Sequence, residues 1–181
     1  MKIILVASIN GKAKQKFFYL SIIGLLKDLG HEVFYEHILK ESPESLSQSL
    51  EKNIKFHKNI IKKIRKTDLV LSEATHESIS VGYLIHEALT LNKPVIAVSR
   101  SDATPNISVF LENFRKFTFF PYKKTEELKK ELPKLINSTK IEKLKRFNFL
   151  ISEKIDEKLK KLADNNKTSK SEFLRTLIKN L

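Results

Sequence analysis

Residues 2–7 form an almost unbroken apolar run, and residues 69–74 and 95–98 repeat that pattern. Runs this short and this uniformly apolar predict strands buried on both faces of a sheet. Residues 32–38 read as another strand and residues 117–120 as a fifth. Between them lie segments with helical spacing. In residues 17–29 the apolar positions are Phe18, Leu20, Ile22, Ile23, Leu25, Leu26 and Leu29, and Gly30 stands where such a helix stops. Residues 40–48 read as a Ser-rich connection containing proline, and residues 54–66 as a basic helix with a thin apolar stripe. Further helices are predicted over 83–91, near 107–113 and over 125–136. Alternating strands and helices predict an α/β fold, a Rossmann-like doubly wound parallel five-stranded sheet. Ligands of such sheets bind beyond the carboxyl ends of the strands, where the loops 8–14, 75–82 and 99–108 fall.

The pattern changes near the carboxyl end. Residues 146–151 alternate, with Phe147, Phe149 and Ile151 on one face and Arg146, Asn148 and Leu150 on the other, the period of a half-buried strand. Ser152 can then cap a helix striped by Ile155, Leu159, Leu162 and Ala163. Asn165 and Asn166 make a turn, for which asparagine's tolerance of positive φ suits them. Ser169 and Glu172 have capping-box spacing ahead of a second helix carrying Phe173, Leu174, Leu177, Ile178 and Leu181. One strand and two helices cannot close a core alone, whereas two copies can by pairing strands and interlocking helices. The expected organisation is an α/β domain over 1–137, a linker over 138–144 and a β-α-α arm over 145–181, in a homo-oligomer of at least two chains.

Composition narrows the function classes. The 181 residues carry 34 Lys and Arg against 21 Asp and Glu, a formal charge of +13, which favours anionic partners. Lysines outnumber arginines 29 to 5, so the excess also fits a compositional bias, and the charge alone does not choose between the two. With no cysteine there is no disulfide, thiol nucleophile or cysteine metal site. No segment approaches the roughly 18 apolar residues of a membrane span, and a cytoplasmic protein without a membrane partner is expected.

A helix beginning near Ser78 would offer free N–H groups and its positive dipole end to an anion, and a plain helix cap at Ser78 fits the same pattern. His76, Glu77, His86 and Glu87 crowd one loop and helix, but a zinc protease needs two histidines four apart on one face with a glutamate between them. No metal and no cofactor are therefore expected. The glycine-rich phosphate loop of ATPases and the Gly-x-Ser-x-Gly elbow of serine hydrolases do not occur.

The segments ASINGK, DLVLSEATHESISVGY and NISVFLENF resemble, in order and spacing, the nucleoside 2-deoxyribosyltransferase family over residues 1–137, and within it the 2'-deoxynucleoside 5'-monophosphate N-glycosidases. The resemblance implies nucleotide and phosphate contacts at Ser8, Asn10, Gly11, Ser78, Gly82 and Ser108, with Asn10 where an arginine is usual. It also implies a catalytic glutamate directly after the Gly82–Tyr83 pair, an aspartate eight residues before Asp68, and a tyrosine on the first strand. Those three positions hold Leu84, Ile60 and Ile4. Leucine forms no glycosyl ester and stabilises no oxocarbenium-like centre. Glu87, nearly one turn past Leu84, is the remaining candidate acid. Asp68 and Glu73 match family positions that read as structural.

The tail resembles the ribbon-helix-helix family of DNA-binding proteins over about 36 residues, including the Ser-Lys-Ser-Glu opening of its second helix. That resemblance implies base contacts from Arg146, Asn148 and Leu150, and backbone contacts from Ser169, Lys170 and Ser171. A tail used only for dimerisation fits the same pattern. Two functions stay open: a dimeric DNA-binding regulator whose impaired α/β domain senses a nucleoside monophosphate, and an active nucleotide N-glycosidase or deoxyribosyltransferase that uses the tail to dimerise.

Overall fold

The computed structural model describes residues 1–100, 111, 114–139, 150–166 and 168–180. The chain divides into two compact units, Met1–Ile141 and Glu142–Leu181.

In the first unit five strands, β1 (Lys2–Ala7), β2 (Glu32–Phe34), β3 (Leu69–Glu73), β4 (Val95–Arg100) and β5 (Phe117–Tyr122), form one sheet in the order β2-β1-β3-β4-β5. Every neighbouring pair is parallel, with Ile4 opposite Val70, Leu71 opposite Ile96, and Val98 opposite Phe120. The expected doubly wound parallel sheet is therefore present.

Alternation along each strand builds a core on both faces. Ile3, Leu5, Leu69, Leu71, Ile96 and Val98 pack on one side with Tyr19, Ile22 and Leu26 of α1 (Lys12–Asp28) and with Leu128 and Leu132 of α6 (Thr125–Ser138). Ile4, Val6, Val70 and Val95 face the other side, against Ile60 and Ile64 of α4 (Leu50–Lys66) and Val81, Leu84, Ile85 and Ala88 of α5 (Ile79–Thr90). Burial on two faces explains why the central strands carry uninterrupted apolar runs.

Helix ends follow local chemistry. Gly30 takes φ 77° and its N–H donates to the Lys27 carbonyl, ending α1 as expected. Asn92, at φ 58°, turns the chain in the same way after α5. Ser49 Oγ accepts from the Lys52 N–H to start α4, and Thr67 Oγ1 donates to the Ile64 carbonyl to finish it.

Several boundaries differ from the sequence expectation. The strand expected over 32–38 stops at Phe34, and α2 (Glu36–Lys40) follows, because β2 is an edge strand that pairs with β1 over only three residues. The expected connection over 40–48 contains a short helix, α3 (Pro43–Ser47), with Pro43 in its first turn and Ser42 Oγ accepting from the Ser45 N–H. The helix expected near 107–113 lies outside the described residues apart from Leu111.

The second unit contains α7 (Glu153–Asn165) and α8 (Lys170–Lys179). Ser152 is the α7 cap residue, but its side chain makes no capping bond. Asn166 sits at φ −92°, not at a positive value, and its side-chain amide donates to the Leu162 carbonyl. The capping bond at α8 does form, with Ser169 Oγ accepting from the Glu172 N–H at 3.2 Å. Of the strand expected over 146–151, only Leu150 and Ile151 are described, and neither carries regular structure. No helix among the described residues is long and apolar enough to cross a membrane.

Candidate functional site

In the order β2-β1-β3-β4-β5 the chain runs outward in opposite directions from β1 and β3, and the crevice at that switch point is where open α/β sheets bind ligands. A cavity of about 220 Å³ lies there. Its near wall is the end of β1 and the loop after it, with Ser8 and Asn10. Its floor includes Ile60 of α4 with Val81 and Leu84 of α5, and Ser78 and Ser80 border it at the start of α5. The far wall comes from α2, α3 and α4, which supply His37, Leu46, Asn53, Phe56 and His57.

The β1 loop is held tightly. Ser8 is buried; its Oγ accepts from the Gly11 N–H at 3.2 Å and lies 3.2 Å from His76 Nδ1. The same Nδ1 lies 3.0 Å from the Glu77 carbonyl, which can only accept, so a bond there requires the proton on Nδ1. The Ser8 hydroxyl then keeps its hydrogen for a group in the cavity. The Tyr19 hydroxyl donates to the Ser8 carbonyl from below. Lys12, at the start of α1, donates to the carbonyls of Leu39 and Glu41 and so ties the α2–α3 segment to this loop.

The cap at Ser78 is real: its Oγ accepts from the Val81 N–H at 3.4 Å. Its hydroxyl also borders the cavity, so the capping and ligand roles share one position. Beside it, Glu73 is fully buried, and its Oε1 accepts from the N–H and hydroxyl of Thr75, fixing the start of the loop that carries His76. Burial pushes the Glu73 carboxyl above the usual carboxylate range, against the pull of the Thr75 bonds and of Arg100.

The sequence-derived residues divide clearly. Ser8, Asn10 and Ser78 meet at the cavity. Gly11 lies behind its wall, and Gly82 is exposed on α5 away from it. Ser108, Arg146 and Asn148 lie outside the described residues. Leu84 and Ile60 form cavity floor, and Ile4 lies in the same apolar layer. Glu87 does not line the cavity; its negative charge near the exposed Tyr83 raises that phenol's pKa. Among the described lining residues there is no carboxylate, and the described residues contain no cluster of three metal-ligating side chains.

His37, Asn53, Phe56 and His57 were missed by the sequence reading. The last three share a stripe with Ile60 at helical spacing, a signal that was read as a thin apolar face. Both ring nitrogens of His37 are buried without a hydrogen-bond partner, and burial lowers its pKa to about 4, helped by Lys63 and opposed by Glu36. His57 is lowered by the same cause, so both rings are neutral at physiological pH.

In the second unit, Leu150 is fully exposed, Ser169 caps α8, and Lys170 pairs with Asp156 at 2.6 Å. Ser171 accepts at its carbonyl from Arg175.

The sheet order and the crevice at its switch point define a Rossmann-like, doubly wound α/β protein. Two solved structures share the fold. The CMP N-glycosidase of Clostridium botulinum superposes with a TM-score of 0.54 at 18% identity, covering 74% of this chain and 98% of that one. A 2-deoxyribosyltransferase from Bacillus psychrosaccharolyticus gives 0.55 at 19%, covering 71% and 90%. No family model matches the chain. A provisionally named 2'-deoxynucleoside 5'-phosphate N-hydrolase 1 of Syntrophotalea carbinolica is 30% identical over 129 residues, 71% of this chain and 89% of the relative. The 5-hydroxymethyl-dUMP N-hydrolase of Rattus norvegicus is 27% identical over 105 residues, and this chain spans 64% of its length. The chain belongs to the 2'-deoxynucleoside 5'-phosphate N-hydrolase family.

Proposed function

We propose that the cavity takes a 2'-deoxynucleoside 5'-monophosphate and holds it without cleaving it through a covalent glycosyl-enzyme. Family membership supports the ligand class, and favours nucleotide N-glycosidase chemistry over a DNA-binding regulator as the parent activity. The phosphate is assigned to Ser8 and Ser78 at the amino end of α5, where hydroxyls and the helix dipole favour an anion. Asn10 replaces a charged donor with a neutral one, which weakens that grip. The observation that carries the absence of cleavage is the floor. Leu84 and Ile60 place hydrocarbon where the resemblance puts a nucleophile and its acid partner, and Glu87 points elsewhere. The test pairs calorimetric binding of dTMP and dGMP with chromatographic detection of free base. Binding without base release supports the proposal, and base release at enzymatic rates overturns it.

A second reading, N-glycosidic hydrolysis by another group, is favoured by the relatives, which are named as N-hydrolases. His37 is a neutral imidazole at the cavity wall and is the group to test, through loss of base release in His37→Phe.

For the second unit, pairing of two copies is supported by apolar side chains left exposed on two amphipathic helices: Ile155 at 55%, Leu177 at 48% and Ile178 at 68%. DNA reading by the arm rests on the sequence pattern at Arg146, Asn148 and Leu150. Retention of genomic fragments by the full chain but not by residues 1–140, surviving moderate salt and lost in Asn148→Ala, is the outcome that reading requires.

A further inference from the structure

A larger groove of about 650 Å³ between α2 and α4 adjoins the cavity. One wall is a single stripe of α4, with Lys52, Lys55, Phe56, Asn59, Ile60 and Lys63 at helical spacing. The other is one face of α2 and the residue after it, carrying Glu36, His37, Lys40 and Glu41. His37, Phe56 and Ile60 line both spaces, so the groove adjoins the cavity.

Four lysines face two glutamates here. The glutamates engage the lysines at either end, Glu41 with Lys52 at 3.8 Å and Glu36 with Lys63 at 3.9 Å, and these are long, half-exposed pairs of little strength. Lys40 and Lys55 have no ion-pair partner among the described residues. Between the two ends, the rings of His37 and Phe56 lie 6.3 Å apart at 51°, with both His37 nitrogens lacking a partner. A positive groove with aromatic rings along it is the arrangement that binds single-stranded nucleic acid, the charges following the backbone and the rings taking bases. A free mononucleotide whose one phosphate lies at Ser8 and Ser78 has no second phosphate to place on these lysines.

We propose that the groove is a second nucleotide subsite, so that the ligand is a short 5'-phosphorylated single-stranded oligonucleotide. Its first residue occupies the cavity, its next phosphodiester lies on Lys40 and Lys55, and its second base lies against Phe56 and His37. The proposal rests on the cavity holding a nucleoside 5'-monophosphate, and the test separates the two.

The full chain is titrated with dTMP, with thymidine 3',5'-bisphosphate and with the 5'-phosphorylated thymidine dinucleotide across a salt series. The dinucleotide binds about tenfold tighter than dTMP and its affinity falls more steeply with salt, by about one further counterion. The bisphosphate shows what the second phosphate contributes without the second base. Lys40→Glu combined with Lys55→Glu removes the gain and leaves dTMP affinity within about twofold, since neither side chain borders the cavity. Lys158→Glu, a charge reversal in the second unit, leaves the gain intact and shows that the loss in the double variant is not a general effect of net charge. If dTMP binds and the dinucleotide binds no tighter, or if the gain survives the double substitution, the groove is not a subsite and the cavity reading stands. If none of the three ligands binds, the cavity reading fails and the subsite fails with it.

Discussion

Gly11 and His76 approach so closely that a Cβ added to the glycine would lie 2.6 Å from the histidine Cβ and 2.7 Å from its Cγ. Neither atom is the free end of a side chain, so the backbone of one loop must yield. Gly11 is needed for this approach and not for its φ, which is −76°. The contact sets the distance between the β1 loop, which carries Ser8, and the loop leading to Ser78.

Gly11→Ala therefore separates the two proposed phosphate contacts. Overpacking of this kind costs about 1–3 kcal/mol. The expected outcome is a lower melting temperature with unchanged secondary structure, and dTMP binding weakened by about tenfold. Unchanged dTMP affinity would show that the two loops do not act on one ligand.

Ser78 allows its two roles to be separated. Ser78→Ala removes the bond to the Val81 N–H and should cost about 1 kcal/mol of stability. Ser78→Asp keeps a capping oxygen at the positive end of α5, so it should melt no lower than wild type, yet it puts a negative charge beside the cavity. If the site holds phosphate, dTMP binding is lost in the aspartate variant despite its stability. If Ser78 only caps the helix, binding follows stability in both variants.

Leu84→Glu returns a carboxylate to the cavity floor among Ile60, Val81 and Ile85. Burying it there should cost about 2–4 kcal/mol and raise its pKa above the usual carboxylate range. The wild type is expected to leave dTMP intact. The variant is expected to release thymine slowly, at a rate that increases with pH as the new carboxylate ionises. Base release by the wild type would place the chemistry on a group other than residue 84.

His37 gives a pH prediction with a defined sign. The imidazole titrates at 6.5 when free and at about 4 in the folded protein. Between those values the unfolded chain binds a proton that the folded one does not, so stability falls as the pH drops from 6.5 towards 4. The loss amounts to about 3 kcal/mol at most, and the group contributes no slope above 6.5. Denaturant unfolding between pH 4 and 7 should show this slope, and His37→Phe should flatten it relative to wild type. Equal slopes would mean that His37 is not held neutral by its surroundings.

Much of the first unit could be read along the chain. Residues 2–7, 69–73 and 95–98 had to be strands covered on both faces, because nothing else in a small α/β chain buries such uniform runs. The apolar residue after the Gly82–Tyr83 pair was also visible, since spacing within a motif is a one-dimensional property. The same holds for Gly30 and Ser169, whose roles depend on the backbone within a few residues of themselves.

Other features depended on how the elements pack. Glu87 stands one turn from Leu84 in sequence, yet Val81, Leu84, Ile85 and Ala88 fill the inward face of α5 and leave Glu87 to Tyr83. The phase of a helix against its sheet is fixed by all of its buried contacts together, not by the distance between two residues. The far wall of the cavity has the same origin. Residues 35–48 read as strand end and connection, but Lys12 fastens the carbonyls of Leu39 and Glu41, and the resulting α2 and α3 stand His37 and Leu46 against Phe56 and Asn53 of α4. The sequence by itself determined the sheet, its two apolar faces and the placing of Leu84 directly after the Gly82–Tyr83 pair, because each is written in local periodicity or spacing. Only the tertiary structure decided which polar groups share a cavity and where a basic groove adjoins it, because both depend on contacts between segments that the sequence leaves far apart.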